Sequence, residues 1–402
     1  MHDTSVVAEP VIYVNGRFMT QPLSGVQRFA LEISQALARI SRADGQAAPI
    51  MLTPAAPCET AAQGQPVCQP VGHAAGSSVG QSVGQPTGQL TGQSAGYAME
   101  QARRVVGTRR GQLWEQVDLP GAARHGVLLN LGNTGPLWGG PRIVIIHDAG
   151  VFSQPGSYSW KFRLWYKVLH RLLRHTRTRL VTVSAFSRME LAKYLHISAD
   201  RIAVISEGAE HIADVAADPS ILARFGLHPQ RFVLAVGNLA PHKNLARLDA
   251  LARALAARGI ALVISGSVNG AVFNARGGQT LPSPAIYVGR VTDRELRALY
   301  EAAACFVFPS LYEGFGLPPL EAMACGCPVV AADIAVLHEI CGAAALYADP
   351  TDPDAIARAV LDVLDTPASA RDMRAAGKAR AASFTWDRAA RSLLDVARSL
   401  TP

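Results

Sequence analysis

Long apolar runs are missing from this chain of 402 residues. No stretch of 18 apolar residues occurs, so no membrane-spanning helix is expected. Residues 1–10 hold neither a basic segment nor an apolar one, so no secretory leader is expected either. Aromatic residues are scarce, at 6%. With no stacking platform and no RNA-binding signature, nucleic acid is not an expected partner. The six cysteines, Cys58, Cys68, Cys305, Cys325, Cys327 and Cys341, lack zinc-ligand spacing, and Cys325-Gly-Cys327 has no second half. They read as free thiols of a reducing compartment. No Asp-x-Asp motif stands at a strand end to hold a divalent ion. Asp352 and Asp354 fall in a loop before a helix and read as caps. A cytoplasmic protein is expected.

Apolar residues make up 49% of the chain and charged residues 17%, enough for a large core. At about 100–200 residues per domain, two or three domains fit the length. The charge is +7, a basic excess suited to phosphorylated ligands or a membrane surface. Residues 54–98 differ from the rest. Glycine recurs there every four residues from Gly72 to Gly96, often before glutamine, with almost no large apolar side chain. Such a repeat reads as a disordered insertion in a surface loop.

Elsewhere short apolar strands alternate with helical stretches. One set of strands lies near residues 11–14, 127–130, 142–146, 180–183 and 202–205. A second lies near 232–236, 261–265, 285–288, 305–308 and 328–331. This rhythm predicts parallel sheets covered on both faces, in two doubly wound domains.

The chemistry-bearing residues follow strands. After the strand ending near Phe308 comes Glu313-Gly-Phe-Gly-Leu-Pro-Pro-Leu-Glu321. Pro318 and Pro319 fit the first turn of a helix, and Gly326 fits its end. Free N–H groups at a helix start, beside glycines that permit close approach, suit oxygen-rich anionic ligands. Glu313 and Glu321 can accept hydrogen bonds from vicinal hydroxyls. Val236-Gly-Asn-Leu-Ala-Pro-His-Lys-Asn244 follows another strand and carries Lys243. Ile145-Ile-His147-Asp148 closes a strand of the first set. Ser24-Gly25-Val-Gln-Arg28 opens the first long helix.

The Glu313–Glu321 segment resembles the E-x7-E signature of glycosyltransferase family 4, and the resemblance runs over most of the chain outside the glycine repeat. It implies the GT-B fold, two Rossmann-like α/β domains facing a central cleft. Residues 1–212 would form the acceptor side and 213–383 the nucleotide-sugar side. Residues 384–402 would form a helix packing back on the first domain. By this resemblance Glu321 holds the ribose hydroxyls and Glu313 the 3-hydroxyl of the donor sugar. The backbone at Phe315, Gly316 and Leu317 meets the sugar and diphosphate. His147 borders the donor sugar, and Gly25 lets its loop approach the donor phosphate. Lys243 neutralises the diphosphate. Asn238 and His242 stand where the family usually has arginine, which weakens charge stabilisation. Arg290 and Val291 border the base.

The implied activity is retaining transfer of a hexose, with no protein nucleophile, no cofactor and no metal. Leu113-Trp-Glu-Gln116 with Leu119-Pro120, together with His147-Asp148, leans toward GDP-mannose as donor, with UDP-sugars as the alternative. The acceptor would be a saccharide or lipid-linked intermediate of surface polysaccharide. A catalytically weak nucleotide-sugar-binding protein is the other reading. A nicotinamide oxidoreductase is disfavoured, since no strand-end glycines have G-x-G-x-x-G spacing.

Residues 160–179 carry seven basic residues and no acid. Phe162, Trp165, Tyr166, Leu169, Leu172 and Leu173 form a helical stripe. Two readings stand. In one the stripe faces the core beneath a solvated basic face. In the other the helix makes peripheral contact with anionic lipid on the inner membrane face.

Overall fold

A computed structural model describes residues 10–21, 23–55, 102–266 and 281–400. The predicted glycine repeat, Cys58 and Cys68 lie outside them. Thirteen strands in these residues form two sheets. In the first are β1 (Ile12–Asn15), β2 (Ile50–Thr53), β3 (Arg103–Val105), β4 (Val127–Asn130), β5 (Arg142–Ile145), β6 (Thr178–Thr182) and β7 (Ile202–Val204). The second holds β8 (Phe232–Val236), β9 (Ala261–Ser265), β10 (Ile286–Gly289), β11 (Cys305–Phe308), β12 (Val329–Ala332) and β13 (Ala345–Ala348). The paired strands are parallel, as the predicted rhythm required.

Strand order is 3-2-1-4-5-6-7 in the first sheet and 10-9-8-11-12-13 in the second. Each order reverses once, between β1 and β4 and between β8 and β11. Loops leaving neighbouring strands at a reversal run to opposite faces and leave a crevice at the carboxyl ends, where open α/β sheets bind ligands. The topology alone therefore selects the loops after β8 and β11.

Side chains alternate across the strands with period two. Ile143 and Ile145 of β5 join Phe29, Ile33 and Leu37 of the Gly25–Ala43 helix. Val144 and Ile146 face the other way, onto Leu169, Leu173, Leu191 and Leu195. In the second sheet, Val233 and Ala235 meet Leu251 and Leu255, while Phe232 and Leu234 share a core with Leu299 and Leu320. The Trp386–Arg398 helix lies along Gly25–Ala43. Its Trp386 ring meets Phe29 at 5.7 Å, and Asp387 pairs with Arg39 at 2.7 Å.

Helix ends follow their local chemistry. Asp352 caps Pro353–Asp365 by accepting from the N–H groups of Asp354 and Ala355. Gly326, at φ 73°, ends Leu317–Ala324 in the left-handed region that favours glycine. Among the described residues, no helix is long and apolar enough to cross a membrane.

Candidate active site

Lys243 follows β8 and Glu313 follows β11, so the reversal of strand order brings them together. Lys243 Nζ donates to Glu313 Oε1 at 2.7 Å and lies 5.5 Å from the centre of the Phe308 ring. Lys243 ends a 3-10 turn, Pro241–Lys243, closed by Asn244 at φ 59°. The buried Asn244 amide donates to the carbonyls of Pro309 and Pro350, at 3.0 and 2.7 Å. This ties the two crevice loops into one unit. His242 sits on the same turn with Nδ1 3.2 Å from Ser157 Oγ, a residue of the first domain. Burial, and then the charge of Lys243, hold the His242 pKa below its ordinary value. The ring is therefore neutral at pH 7, and the turn carries one cation. Asn238 is exposed, and its Oδ1 accepts from Ala240 N–H at 3.3 Å, shaping the turn.

Gly314 is the point of closest approach to the first domain. A Cβ there would stand 2.4 Å from the His147 carbonyl oxygen. Its own carbonyl accepts from Ser184 and Ser187 Oγ at 2.6 and 2.9 Å. Phe315 turns its ring into the core against Phe384, at 5.8 Å, which leaves its backbone for a ligand. Gly316 has φ 108°, and Leu317 begins the helix.

Glu321 is buried rather than solvated. His211 Nε2 lies 2.9 Å from Oε1 and Tyr300 Oη donates to Oε2 at 3.0 Å. Burial pushes this carboxyl up, but His211, the Arg28 charge and Tyr300 outweigh it, so it stays ionised below the usual range. Trp386 Nε1 donates to His211 Nδ1 at 3.2 Å. An indole N–H can only donate, so the neutral His211 ring carries its proton on Nε2 and gives it to Glu321. Burial opposes charge on His211, yet the Glu321 hydrogen bond and charge raise its pKa.

On the first domain, His147 is buried just beyond β5. Its Nε2 faces the Leu131 carbonyl at 3.0 Å, its Nδ1 faces Glu207 Oε1 at 3.5 Å, and its ring stands edge-on to Phe29 at 4.8 Å. The ring is thus fixed from three sides. Asp148 accepts from Gly150 N–H at 2.6 Å, and burial raises its pKa, with Glu313 adding to the rise. No atom lies within 4 Å of a Cβ built on Gly25, so that side of the loop is open. Arg28 pairs with Glu32 at 3.2 Å and with Asp293 of the second domain. Arg290 is exposed and donates to the Leu23 carbonyl across the cleft. Val291 packs on the shared core.

His211, Tyr300 and Trp386 were not read as site residues from the sequence. They come from three separated segments, and only folding brings them to Glu321. A second buried polar group lies where β1 and β4 end. Glu115 accepts from Asn15 at 3.2 Å, Arg17 at 2.7 Å and Thr134 at 2.9 Å. Burial raises its pKa. The Trp-Glu-Gln motif was the only sign of it.

With this geometry in view, comparison with known proteins decides the family. Residues 219–380 match the family model described as glycosyl transferases group 1. The chain is 34% identical over 256 residues to O-antigen chain mannosyltransferase B of Escherichia coli, covering 61% of this chain and 67% of that protein. The chain belongs to the glycosyl transferases group 1 family. This glycosyltransferase is also 32% identical over 220 residues to the E. coli serotype-specific mannosyltransferase WbdA. That match covers 52% of the chain but only 27% of the longer WbdA. Solved structures agree in fold. Sucrose-phosphate synthase from Thermosynechococcus elongatus superposes at TM-score 0.64 with 18% identity, covering 98% of this chain and 99% of that one. Anabaena HepE in complex with UDP and glucose gives 0.66 and 14%, covering 97% and 99%. The two-sheet arrangement is that of the GT-B glycosyltransferases.

Proposed function

We propose that this glycosyltransferase moves mannose from GDP-mannose, with retention, onto a saccharide or lipid-linked acceptor of surface polysaccharide. The observation that carries this reading is the Lys243–Glu313 pair at the second reversal point, one residue before the close approach of Gly314 to the His147 carbonyl. In the free enzyme the two charges neutralise each other. A donor diphosphate takes Lys243, and Glu313 is released to accept from a sugar hydroxyl. Ionised Glu321 meets the ribose with the acceptor positions that His211 and Tyr300 leave open.

As the bond from the anomeric carbon to the diphosphate breaks, charge grows on the departing oxygen. Lys243 and the N–H groups of Gly316 and Leu317 at the start of Leu317–Ala324, where Pro318 and Pro319 have none, stabilise it without a metal. The acceptor hydroxyl bonds to the anomeric carbon on the same face, and its proton passes to the leaving phosphate. Closure around Gly314 limits water and so limits donor hydrolysis. Both relatives are named mannosyltransferases, and the first an O-antigen chain enzyme, which supports mannose and surface polysaccharide. An acceptor anchored in lipid places the work at a membrane surface, on the inner face.

The test is release of nucleoside diphosphate from a panel of nucleotide-sugars, with Glu321→Ala alongside. GDP-mannose is expected to be consumed and the variant to be inactive. Turnover of UDP-glucose alone overturns the donor assignment. No turnover of any donor with acceptor extract present overturns the transfer reading.

A further inference from the structure

The Trp160–Leu173 helix buries only part of the stripe that its spacing suggested. Leu169, His170 and Leu173 face the core. Trp160 is 67% exposed, Leu164 55%, Trp165 41%, Val168 43% and Leu172 45%. Residues 160, 164, 168 and 172 recur every fourth position and so lie on one face. Basic side chains interleave with them. Lys161 lies over the Trp160 ring at 5.8 Å, and Lys167 and Arg171 flank the Phe152 ring at 5.6 Å each. Residues 160–179 contain no carboxylate. None of Lys161, Arg163, Lys167 and Arg171 forms an ion pair among the described residues.

The two ends of this helix differ. Its start follows Ser157, the residue against His242 at the cleft. Its far end, about 20 Å away by helical rise, opens on a recess of about 220 Å³ where Arg174, Arg177, Arg179 and Arg201 converge with Thr176 and Thr178. Arg174 and Arg201 spend hydrogen bonds on the Leu195 and Arg174 carbonyls. Arg177 and Arg179 have no carboxylate partner among the described residues, and Arg179 Nε is buried with none at all. Asp200, beside Arg201, bonds to Ser198.

We infer that this helix lies in the plane of an anionic membrane and that the arginine recess takes the phosphate of one lipid headgroup. Trp160, Leu164, Trp165, Val168 and Leu172 enter the interface, and the interleaved cations meet lipid phosphates. A protein partner fits less well, because interface cores are depleted in lysine, whereas this stripe is laced with it. Held at both ends, the helix turns the cleft mouth at Ser157 and His242 toward the bilayer. A lipid-linked saccharide then enters without leaving the membrane. The inference rests on the lipid-linked acceptor proposed above.

The test is sedimentation of the full-length protein with vesicles of phosphatidylcholine alone or mixed with phosphatidylglycerol. The mixed vesicles are expected to bind it and the neutral ones not. Arg177→Ala should weaken binding about fivefold, and Lys167→Glu with Arg171→Glu more than twentyfold, at about 1 kcal/mol for each charge lost near the surface. Trp160→Ser with Leu164→Ser should weaken it comparably. All of these positions are clear of the donor site, so GDP binding should not change. If the wild-type protein binds GDP but not the mixed vesicles, the membrane inference falls and the transferase reading stands. Equal binding to both vesicle types overturns the inference. So does inorganic phosphate bound at Arg177 by a protein that ignores vesicles. Conversion of a dimer to monomer by Trp160→Ser and Leu164→Ser, with vesicle binding intact, reassigns the stripe to a second copy.

Discussion

Replacing His211 tests whether the buried hydrogen-bond chain from Trp386 to Glu321 sets donor affinity. In His211→Ala the Glu321 carboxylate loses a 2.9 Å partner and the Trp386 N–H loses its acceptor. A hydrogen bond to a charged group contributes about 1.5–3 kcal/mol, and breaking a buried pair costs about 3–5 kcal/mol. The Ala variant should therefore unfold about 3–5 kcal/mol more easily in urea and bind GDP about tenfold or more weakly. His211→Gln keeps an N–H donor near the Nε2 position. It should recover most of both losses, which covers the case where the Ala variant does not fold. The two differ further in pH dependence. The raised pKa of His211 means its contribution is full below its ordinary range, near pH 6.5. That contribution fades as pH rises through the folded value. Glu321 runs the opposite way, since its pKa is depressed. Its contribution is full above the ordinary carboxylate range and is lost as pH falls through the lower folded value. Wild-type stability should thus slope downward just above pH 6.5, and Gln, which does not titrate, should remove that slope. Calorimetric GDP titration and urea melts across this window measure both effects. An Ala variant that matches wild type in both would falsify the account of Glu321.

Three further outcomes follow from the crevice. Lys243→Ala should lower turnover about 100-fold or more, because it removes the turn's only cation from the leaving diphosphate; initial rates with saturating GDP-mannose measure this. Gly314→Ala puts a carbon 2.4 Å from the His147 carbonyl and so holds the domains apart. Turnover should collapse while GDP binding, which depends on the second domain, persists; parallel loss of both would refute the closure argument. His242→Arg replaces a ring kept neutral by burial and by Lys243 with a fixed charge, and should raise the rate at pH 7 severalfold. An unchanged rate would mean that Lys243 and the helix start already suffice.

The second sheet was more legible than the first. Strands such as β8, Phe-Val-Leu-Ala-Val, and β11, Cys-Phe-Val-Phe, are buried on both faces and read as continuous apolar runs. β2, Ile-Met-Leu-Thr, and β13, Ala-Leu-Tyr-Ala, are as short as β11 but lie among alanines and turn residues that blur their bounds. β3, Arg-Arg-Val, is an exposed edge strand that carries no burial pattern. The motifs placed Lys243 and Glu313 at strand ends, but only the strand order explains why they touch. Glu321 reads from the sequence as a hydroxyl acceptor, but its burial does not show there, because its partners are 21 and 110 positions away. The basic helix misled in another way. Periodicity marks an apolar face, yet it does not say what covers that face, and Trp165 and Leu172 point to solvent.

The chain passes between its two sheets twice, once after β7 and again just before the Trp386–Arg398 helix. These passages are bonded to each other, Ala209 N–H to the Phe384 carbonyl at 3.3 Å, and Trp386 N–H reaches Glu210. Two bodies joined by a pair of tied cords keep one easy motion, a swing about the line of the cords. Sliding and twisting are resisted. His211 sits beside those cords, where displacement is smallest, so Glu321 keeps its support as the domains swing.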